Sequence, residues 1–434
     1  MIDISDIAPH NNTVHKSIAA ACVPPSACIP LSAANGDACS CVSPLVSVGE
    51  RVSEGQQIAS AGSAAVPVFS SIPGVVRDIR PALAPDGVFR LSAVIELSGA
   101  FSYLGKKKSP VDWRRLSQEQ LCASLEKHGA VNTFDHAELL ASQIKQLPPG
   151  SVHILCVRLF DRDPSVALDA FLSQTCAAHV LEGAAVIAAA AGITRILFVF
   201  ASEKQRSAMQ ASIAEQCAGM DTYSLSAPKH RYPQGGRQEI QRLVKKQNAV
   251  SFCSELSAAD LFIDSFTAYA AYTAVVSDMP CIDSIVHVSG DAVRSSGVFR
   301  VKTGTPIYNL IEECGGFSKN PAQIVVNGRI LGTAVSDLSV PVTNTVKSIQ
   351  CVSKKERPMH IQECIRCGSC RRACPQSLAP DVLYEHAYRA APCDSVYLKT
   401  VVLCTSCMLC NASCPVRLPL YQAICCLKEQ VHEK

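Results

Sequence analysis

Cys364-Ile-Arg-Cys367-Gly-Ser-Cys370-Arg-Arg-Ala-Cys374-Pro375 is answered further along by Cys404-Thr-Ser-Cys407-Met-Leu-Cys410-Asn-Ala-Ser-Cys414-Pro415. Each run reads C-x2-C-x2-C-x3-C-P, the ligand spacing of a two-cluster iron–sulfur domain. Three thiolates two residues apart can wrap one face of a cubane within a single loop. The fourth cysteine is expected to start a helix that leads away, and so to ligate the other cluster. Cys364, Cys367, Cys370 and Cys414 are therefore assigned to one [4Fe–4S] cluster, and Cys404, Cys407, Cys410 and Cys374 to the other. Pro375 and Pro415 turn the chain after the last ligand, with φ fixed and no N–H to place. Zinc usually takes two C-x2-C pairs rather than triples followed by a cysteine before proline. Disulfides are disfavoured because no export signal is seen.

The chain has 434 residues, enough for three or four domains of roughly 100–200 residues each. A net charge of +3 is too small to argue for nucleic acid or a membrane surface. Met1-Ile-Asp-Ile-Ser carries an acid and no basic n-region, so it does not read as a signal peptide. The most apolar run, Ala184 to Ala201, is interrupted by Gly192 and Arg195 and reads as a helix end followed by a strand. A cytoplasmic chain, bound to a membrane only through partners, is expected. Eight of the 23 cysteines lie in the two motifs. The others, including the close pairs Cys39-Ser-Cys41 and Cys425-Cys426, read as small buried hydrophobes in a reducing compartment.

Residues 1–110 read as all-β, with valine-rich strands parted by glycine turns in Pro44-Leu-Val-Ser-Val-Gly49 through Gly55 and again in Pro67 to Val76. The form resembles the barrel-sandwich hybrid of biotinyl and lipoyl carriers. Their hairpin lysine is missing from Val68-Phe69-Ser70-Ser71-Ile72, so a docking module is expected rather than a covalent cofactor carrier. Lys106-Lys107-Lys108 reads as an exposed linker. Residues 115–274 alternate helix and strand: a helix over Leu116–His128, a strand over 151–157, a long helix over Val166–Ala191, a strand over Arg195–Phe200 and a helix over Ala201–Gln216. That order implies a parallel sheet and a Rossmann-like domain, here without G-x-G-x-x-G. Residues 275–345 return to strands at Ser284–Ser289, Gly297–Lys302 and Gln323–Gly328, with one helix over Ile307–Cys314, which suggests a β-grasp. Residues 355–434 are expected to be helical around the cluster motifs, with 379–400 as a bridging helix. The fold class is thus multidomain α/β plus β.

The order of parts resembles the RnfC family, which belongs to the Rnf ion-translocating electron transport complex, and the middle resembles the flavin-binding component of respiratory complex I. Pro30-Leu31-Ser32 through Gly55 matches the N-terminal module. Tyr232-Pro233-Gln234-Gly235-Gly236 matches a family signature. Ser289-Gly290-Asp291-Ala292-Val293, Gly304-Thr305-Pro306 and Cys314-Gly315-Gly316 match the soluble-ligand-binding β-grasp (SLBB). The departures fall at the cofactor site. The family's glycine-rich loop cradles the phosphates of FMN and NADH with backbone amides. The equivalent stretch here is Gly129-Ala-Val-Asn-Thr-Phe-Asp-His-Ala-Glu, with one glycine, no lysine, and Asp135, His136 and Glu138 introduced. Acids close to a phosphate would repel it by about 1 kcal/mol or more each. The family's acid–x–acid–proline segment appears as Asp161-Arg162-Asp163-Pro164, and its asparagine turn as Asp264-Ser265-Phe266-Thr267.

The resemblance implies a peripheral electron-transfer subunit passing electrons through two [4Fe–4S] clusters. These would run between a soluble donor (ferredoxin, flavodoxin or NADH) and ion-pumping membrane subunits. Gly129, Asp161 and Asp163 would mark a flavin/NADH site that has been altered or lost, so bound FMN is not expected. No acid–base residue is required. Arg366, Arg371 and Arg372 could favour an acidic ferredoxin or flavodoxin. The competing readings are a complete FMN-dependent NADH dehydrogenase, a cobalamin reductase-like subunit, and a scaffold whose clusters only stabilise the C-terminal domain.

Overall fold

The structure, a computed structural model, describes residues 17–32, 43–60, 66–106, 108–148, 153–227, 232–247, 256–257, 259–353, 363–389 and 395–432. Expectations for the N-terminus, Cys39, Cys41, Lys107 and residues 354–362 and 390–394 lie outside them.

The N-terminal β-module is two small sheets. Ser26–Pro30, Phe89–Leu97, Gly74–Leu83 and Arg51–Val52 pair antiparallel in that order. Ser43–Pro44, Gln57–Ser60 and Val68–Phe69 form the second sheet. Alternating apolar residues, among them Ala27, Ile29, Ile58, Ile72, Val76 and Ile95, fill the space between them. The hairpin that carries the lysine in lipoyl-type carriers is buried here. Ser70 and Ser71 are fully covered, and the Ser71 hydroxyl donates to the carbonyl of Thr303, in the turn just past the strand Gly297–Lys302. Glu54, buried in the same module, takes an ion pair from Lys302 at 2.8 Å. The module is thus clamped to the β-grasp sheet.

The α/β domain has four parallel strands in the order Asp221–Ser226, Arg195–Phe200, Ile154–Arg158, Leu261–Asp264. The chain runs outward from the Ile154 strand to the Asp221 strand and then returns to the other side of Ile154. The topological switch point, where α/β sheets bind ligands, therefore lies between Arg158 and Asp264. The single helix expected over 166–191 is two, Leu168–Thr175 and Ala177–Ala190, with a 100° bend. The first is anchored at the sheet's carboxyl edge, because the Asp161 carboxylate accepts its Asp169 and Ala170 amides. The second packs flat against Ser265–Val275. A Cβ at Gly183 would sit 1.9 Å from the Ala268 carbonyl oxygen, so this helix pair requires glycine there. Among the described residues no single helix is long and apolar enough to cross a membrane.

The β-grasp sheet has six strands in the order Ala19–Ala20, Gly297–Lys302, Asp283–Ser289, Ser348–Val352, Gln323–Val326, Thr333–Val335, with the helix Ile307–Glu313 packed on it. Two of these strands lie outside the 275–345 range. Ser348–Val352 is fully buried at the sheet's centre, and Ala19–Ala20 joins an edge in parallel. The last segment is short helices around the cysteine loops. The bridge expected as one helix over 379–400 comprises Pro380–Arg389 and Ser395–Lys399.

Candidate iron–sulfur centres and the adjoining cleft

The two cysteine loops fold alike. Arg366 and Ser406 have φ of 54° and 55°, Gly368 and Met408 70° and 57°, and Ser377 and Arg417 56° and 53°. These left-handed residues turn the backbone around each loop. Short helices follow, Ser369–Ala373 and Leu409–Ala412. Cys374 and Cys414 stand just beyond them, so the fourth cysteine closes a helix rather than starting one. Each receives an amide from four residues on: Leu378 N donates to Cys374 Sγ and Leu418 N to Cys414 Sγ, both at 3.4 Å. Amide bonds of this kind stabilise the sulfurs of a cluster.

Cys374, Cys404, Cys407 and Cys410 line one cavity of about 310 Å³, roofed by Pro375, Leu378, Met408, Tyr421 and Ile424. Burial pushes the Cys404, Cys407 and Cys410 thiols up, Cys410 to about 12, and the neighbouring sulfurs, Cys374 included, add to it. Cys370 and, half-buried, Cys364 and Cys414 share a core with Tyr384 and Leu418. Cys367 is exposed, and its thiol is held low by the Ser369 hydroxyl. Among the described residues no three His, Cys, Asp or Glu side chains converge as a single-ion site. Cys374 and the three cysteines of the second loop instead line one cavity together.

The second loop is fastened from outside. Tyr232, buried beside Cys407 and Leu409, donates its hydroxyl to Cys407 O at 2.8 Å. Arg162 donates to Thr405 O, and Lys428 to Cys404 O at 2.8 Å. At the end of the first motif, just past Cys374, Arg242 reaches Gln376 at 2.8 Å. In the first loop the corresponding carbonyl bond is local, from Arg372 to Cys367 O at 3.1 Å.

The loop at Ser406 and Met408 also borders a cleft of about 1310 Å³ that reaches back to the switch point. Asp161 and Asp163 lie in it; Gly129 does not. Gly129 follows the helix Gln118–Lys127 with φ of 70° and packs on Pro67 and Phe69. The floor of the cleft is an ion network. Arg158 and Asp264 are paired across the strands and 3.5 Å apart, both almost wholly buried. Lys347 bridges Asp264 at 2.6 Å and Asp169 at 2.9 Å. Arg158 also stacks 4.3 Å over Phe134 and donates to Gly235 O at 2.8 Å. A Cβ at Gly235 would strike Arg158 Cδ at 2.9 Å, so glycine in the Tyr232–Gly236 signature makes room for this arginine. Asp264 is held down to about 2: burial opposes ionisation, but Lys347 and Arg158 outweigh it. Burial and the charge of Asp169 raise Asp161 to about 7. Asp163 accepts the Ile330 and Leu331 amides at 2.8 Å, tying the β-grasp to this edge. Asp135, expected to repel a phosphate, is instead paired with Arg237 at 2.5 Å and Arg162 at 3.7 Å. Sequence reasoning missed Arg158, Lys347 and the clamp on the second loop. A charge ending the apolar run Ile154–Arg158 was the one available signal.

Residues 7–100 match the RnfC barrel sandwich hybrid domain, 285–334 the SLBB domain, and 360–418 the 4Fe-4S dicluster domain. A component of the ion-translocating oxidoreductase complex of Pasteurella multocida (strain Pm70) is 27% identical over 353 residues, covering 79% of this chain and 41% of that protein. The chain thus spans less than half the length of that relative. The NAD+-reducing [NiFe]-hydrogenase in its H2-reduced state aligns with a TM-score of 0.52 at 11% identity, over 76% of this chain and 65% of the hydrogenase chain, which shows a shared fold. Fold and cysteine loops together define a multidomain iron–sulfur protein. Its likeness is to the RnfC family, through the N-terminal module and the order of its parts.

Proposed function

We propose that this chain is the peripheral electron-transfer subunit of an Rnf-type complex, working through two [4Fe–4S] clusters and without a flavin of its own. One cluster would be held by Cys374, Cys404, Cys407 and Cys410, the other by Cys364, Cys367, Cys370 and Cys414. The observation that carries the reading is the cavity whose four cysteines come from both motifs, three from one loop and Cys374 from the other. Such clusters supply one-electron chemistry when bound. The chain's own part is to set burial and hydrogen bonding at the sulfurs and to hold both sites at fixed separation. Membrane subunits would take the electrons on, from a place on the inner face of the membrane.

Against a flavin stands the switch point. A phosphate needs a cation or amide cradle. Here Arg158 and Lys347 are already neutralised by Asp264 and Asp169, and Asp161 adds a further acid. A phosphate dianion would enter a site with no net positive charge to offer. FMN therefore does not fit, and the donor is a soluble carrier, ferredoxin or flavodoxin. The first loop suits its docking: Ile365 is 59% exposed, and Arg366 and Cys367 are exposed beside it. Arg371 is less available, being paired with Asp381 at 2.7 Å.

Anaerobically purified protein tests this on one sample. About eight irons per chain, no flavin fluorescence, and cluster absorbance bleached by reduced ferredoxin but not by NADH are expected. Stoichiometric flavin with prompt bleaching by NADH overturns the flavin-free reading and restores the NADH dehydrogenase.

A further inference from the structure

A second cavity, of about 1360 Å³, lies away from the cluster loops, between the helices Ala177–Ala190 and Ser265–Val275 and the β-grasp strands Asp283–Ser289 and Gly297–Lys302. Its walls are aromatic. His179 and Tyr272 are stacked with ring centroids 4.3 Å apart and planes at 18°. Tyr269 stands 6.1 Å from His179 and 6.5 Å from Tyr272. Arg300, exposed at the rim, holds the Tyr269 hydroxyl at 2.7 Å. Further in, Asn344 donates to Cys281 O at 2.9 Å, while its Oδ1 is buried with no hydrogen-bond partner among the described residues. An orphaned buried acceptor calls for a donor.

The charges sort by position. Asp283 lines the cavity but is paired with Lys302 at 2.8 Å. Glu182, near His179 and Tyr272, takes the Trp113 indole at 3.0 Å and lies 3.8 Å from Arg114. Burial lowers His179, which favours its neutral form. Arg300 is thus the cation that faces the opening.

We propose that this cavity binds a small planar aromatic carboxylate that carries a hydroxyl or amino group remote from its acid. The carboxylate meets the Arg300 guanidinium, whose planar fork matches two carboxylate oxygens. The ring extends the His179–Tyr272 stack and packs against Tyr269. The remote donor satisfies Asn344 Oδ1. A single guanidinium suits one carboxylate better than a phosphate dianion, and three rings suit a flat conjugated body better than an alkyl chain. The ligand would bridge the α/β domain and the β-grasp sheet. None of this depends on the cluster assignment or on the state of the flavin cleft.

The test is calorimetric titration of the full chain with 4-hydroxybenzoate, benzoate and 4-hydroxybenzyl alcohol. The hydroxy acid should bind, and each partial analogue should bind about tenfold or more weakly, as loss of one good polar contact predicts. Arg300→Gln, at an exposed position, should keep the melting temperature and lose at least about tenfold in affinity. Asn344→Leu should remove the preference for 4-hydroxybenzoate over benzoate while leaving benzoate binding intact. Absence of binding at millimolar concentration overturns the proposal. So does affinity unchanged by Arg300→Gln, or a preference that survives Asn344→Leu.

Discussion

The two cysteine loops share a backbone and differ in what surrounds them. Left-handed residues recur at matching places, and Met408 adopts at φ 57° what Gly368 adopts at 70°. That conformation costs a side-chain-bearing residue about 1–2 kcal/mol, so the geometry of the second loop is held by its surroundings. Tyr232, Arg162 and Lys428 supply that hold. The first loop has Gly368, a local arginine, and solvent over Cys367. The cysteine spacing is written in the loop, while the exposure of each loop is set by the residues packed on it. The second loop faces inward to the cleft of the α/β domain; the first faces outward to solvent.

The largest expected effect breaks the pairing itself. Cys374→Ser and Cys404→Ser should remove the same cluster, and Cys414→Ser and Cys364→Ser the other, each lowering bound iron by about half. Iron analysis with electron paramagnetic resonance of the remaining centre decides it. If Cys374→Ser instead matched Cys364→Ser, each motif would be building its own cluster. Next comes the platform under the second loop. Lys347→Met leaves Asp169 and Asp264 buried beside one arginine, and breaking such a network costs about 3–5 kcal/mol. Chemical denaturation should show that loss, and the inward cluster should become the more labile to chelator. Equal lability of both centres would mean that the ion network around Lys347 does not support the loop.

Much of this was legible in the sequence, and for identifiable reasons. The cysteine motifs are local in the chain, so spacing alone points to the 4Fe-4S dicluster domain that residues 360–418 match. The strand Arg195–Phe200 and the strand Gly297–Lys302 were found because short apolar or β-branched runs end in turn signals. The clamp was not legible, since Tyr232 and Cys407 lie 175 residues apart and a tyrosine gives no sign of where its hydroxyl lands. Nor was the ion network: Asp264, read as a lost asparagine, gains its meaning only opposite Arg158. Ser348–Val352 was missed because a central strand with Ser and Gln has no clean period, and its polar groups are accommodated by tertiary contacts such as Gln350 with the Ser165 carbonyl.

A smaller change sharpens the contrast between the loops. Tyr232→Phe removes one buried hydroxyl donor from Cys407 O, worth about 1 kcal/mol. The midpoint potential of the inward cluster should shift while that of the outward cluster stays put, as read by potentiometric titration under resonance detection. Movement of both, or of neither, would show that Tyr232 is only a packing residue.

The last effect is pH dependence, and it separates the two kinds of acid beneath the inward loop. Asp264 is depressed to about 2, so its contribution to stability is complete above the ordinary carboxylate range and is lost as pH falls from about 4 toward 2. Asp161 is raised to about 7, so the folded protein keeps a proton that the unfolded chain gives up near pH 4. Stability from this group is fully present below about 4 and declines as pH rises toward 7. Denaturation midpoints of the full chain at pH 5 and pH 8 should therefore fall with rising pH, and Asp161→Asn should flatten that fall. A slope unchanged in the variant would assign the pH dependence to other groups. A midpoint that rises instead would mean that histidines lowered by burial, His128 and His179, outweigh Asp161 over this range.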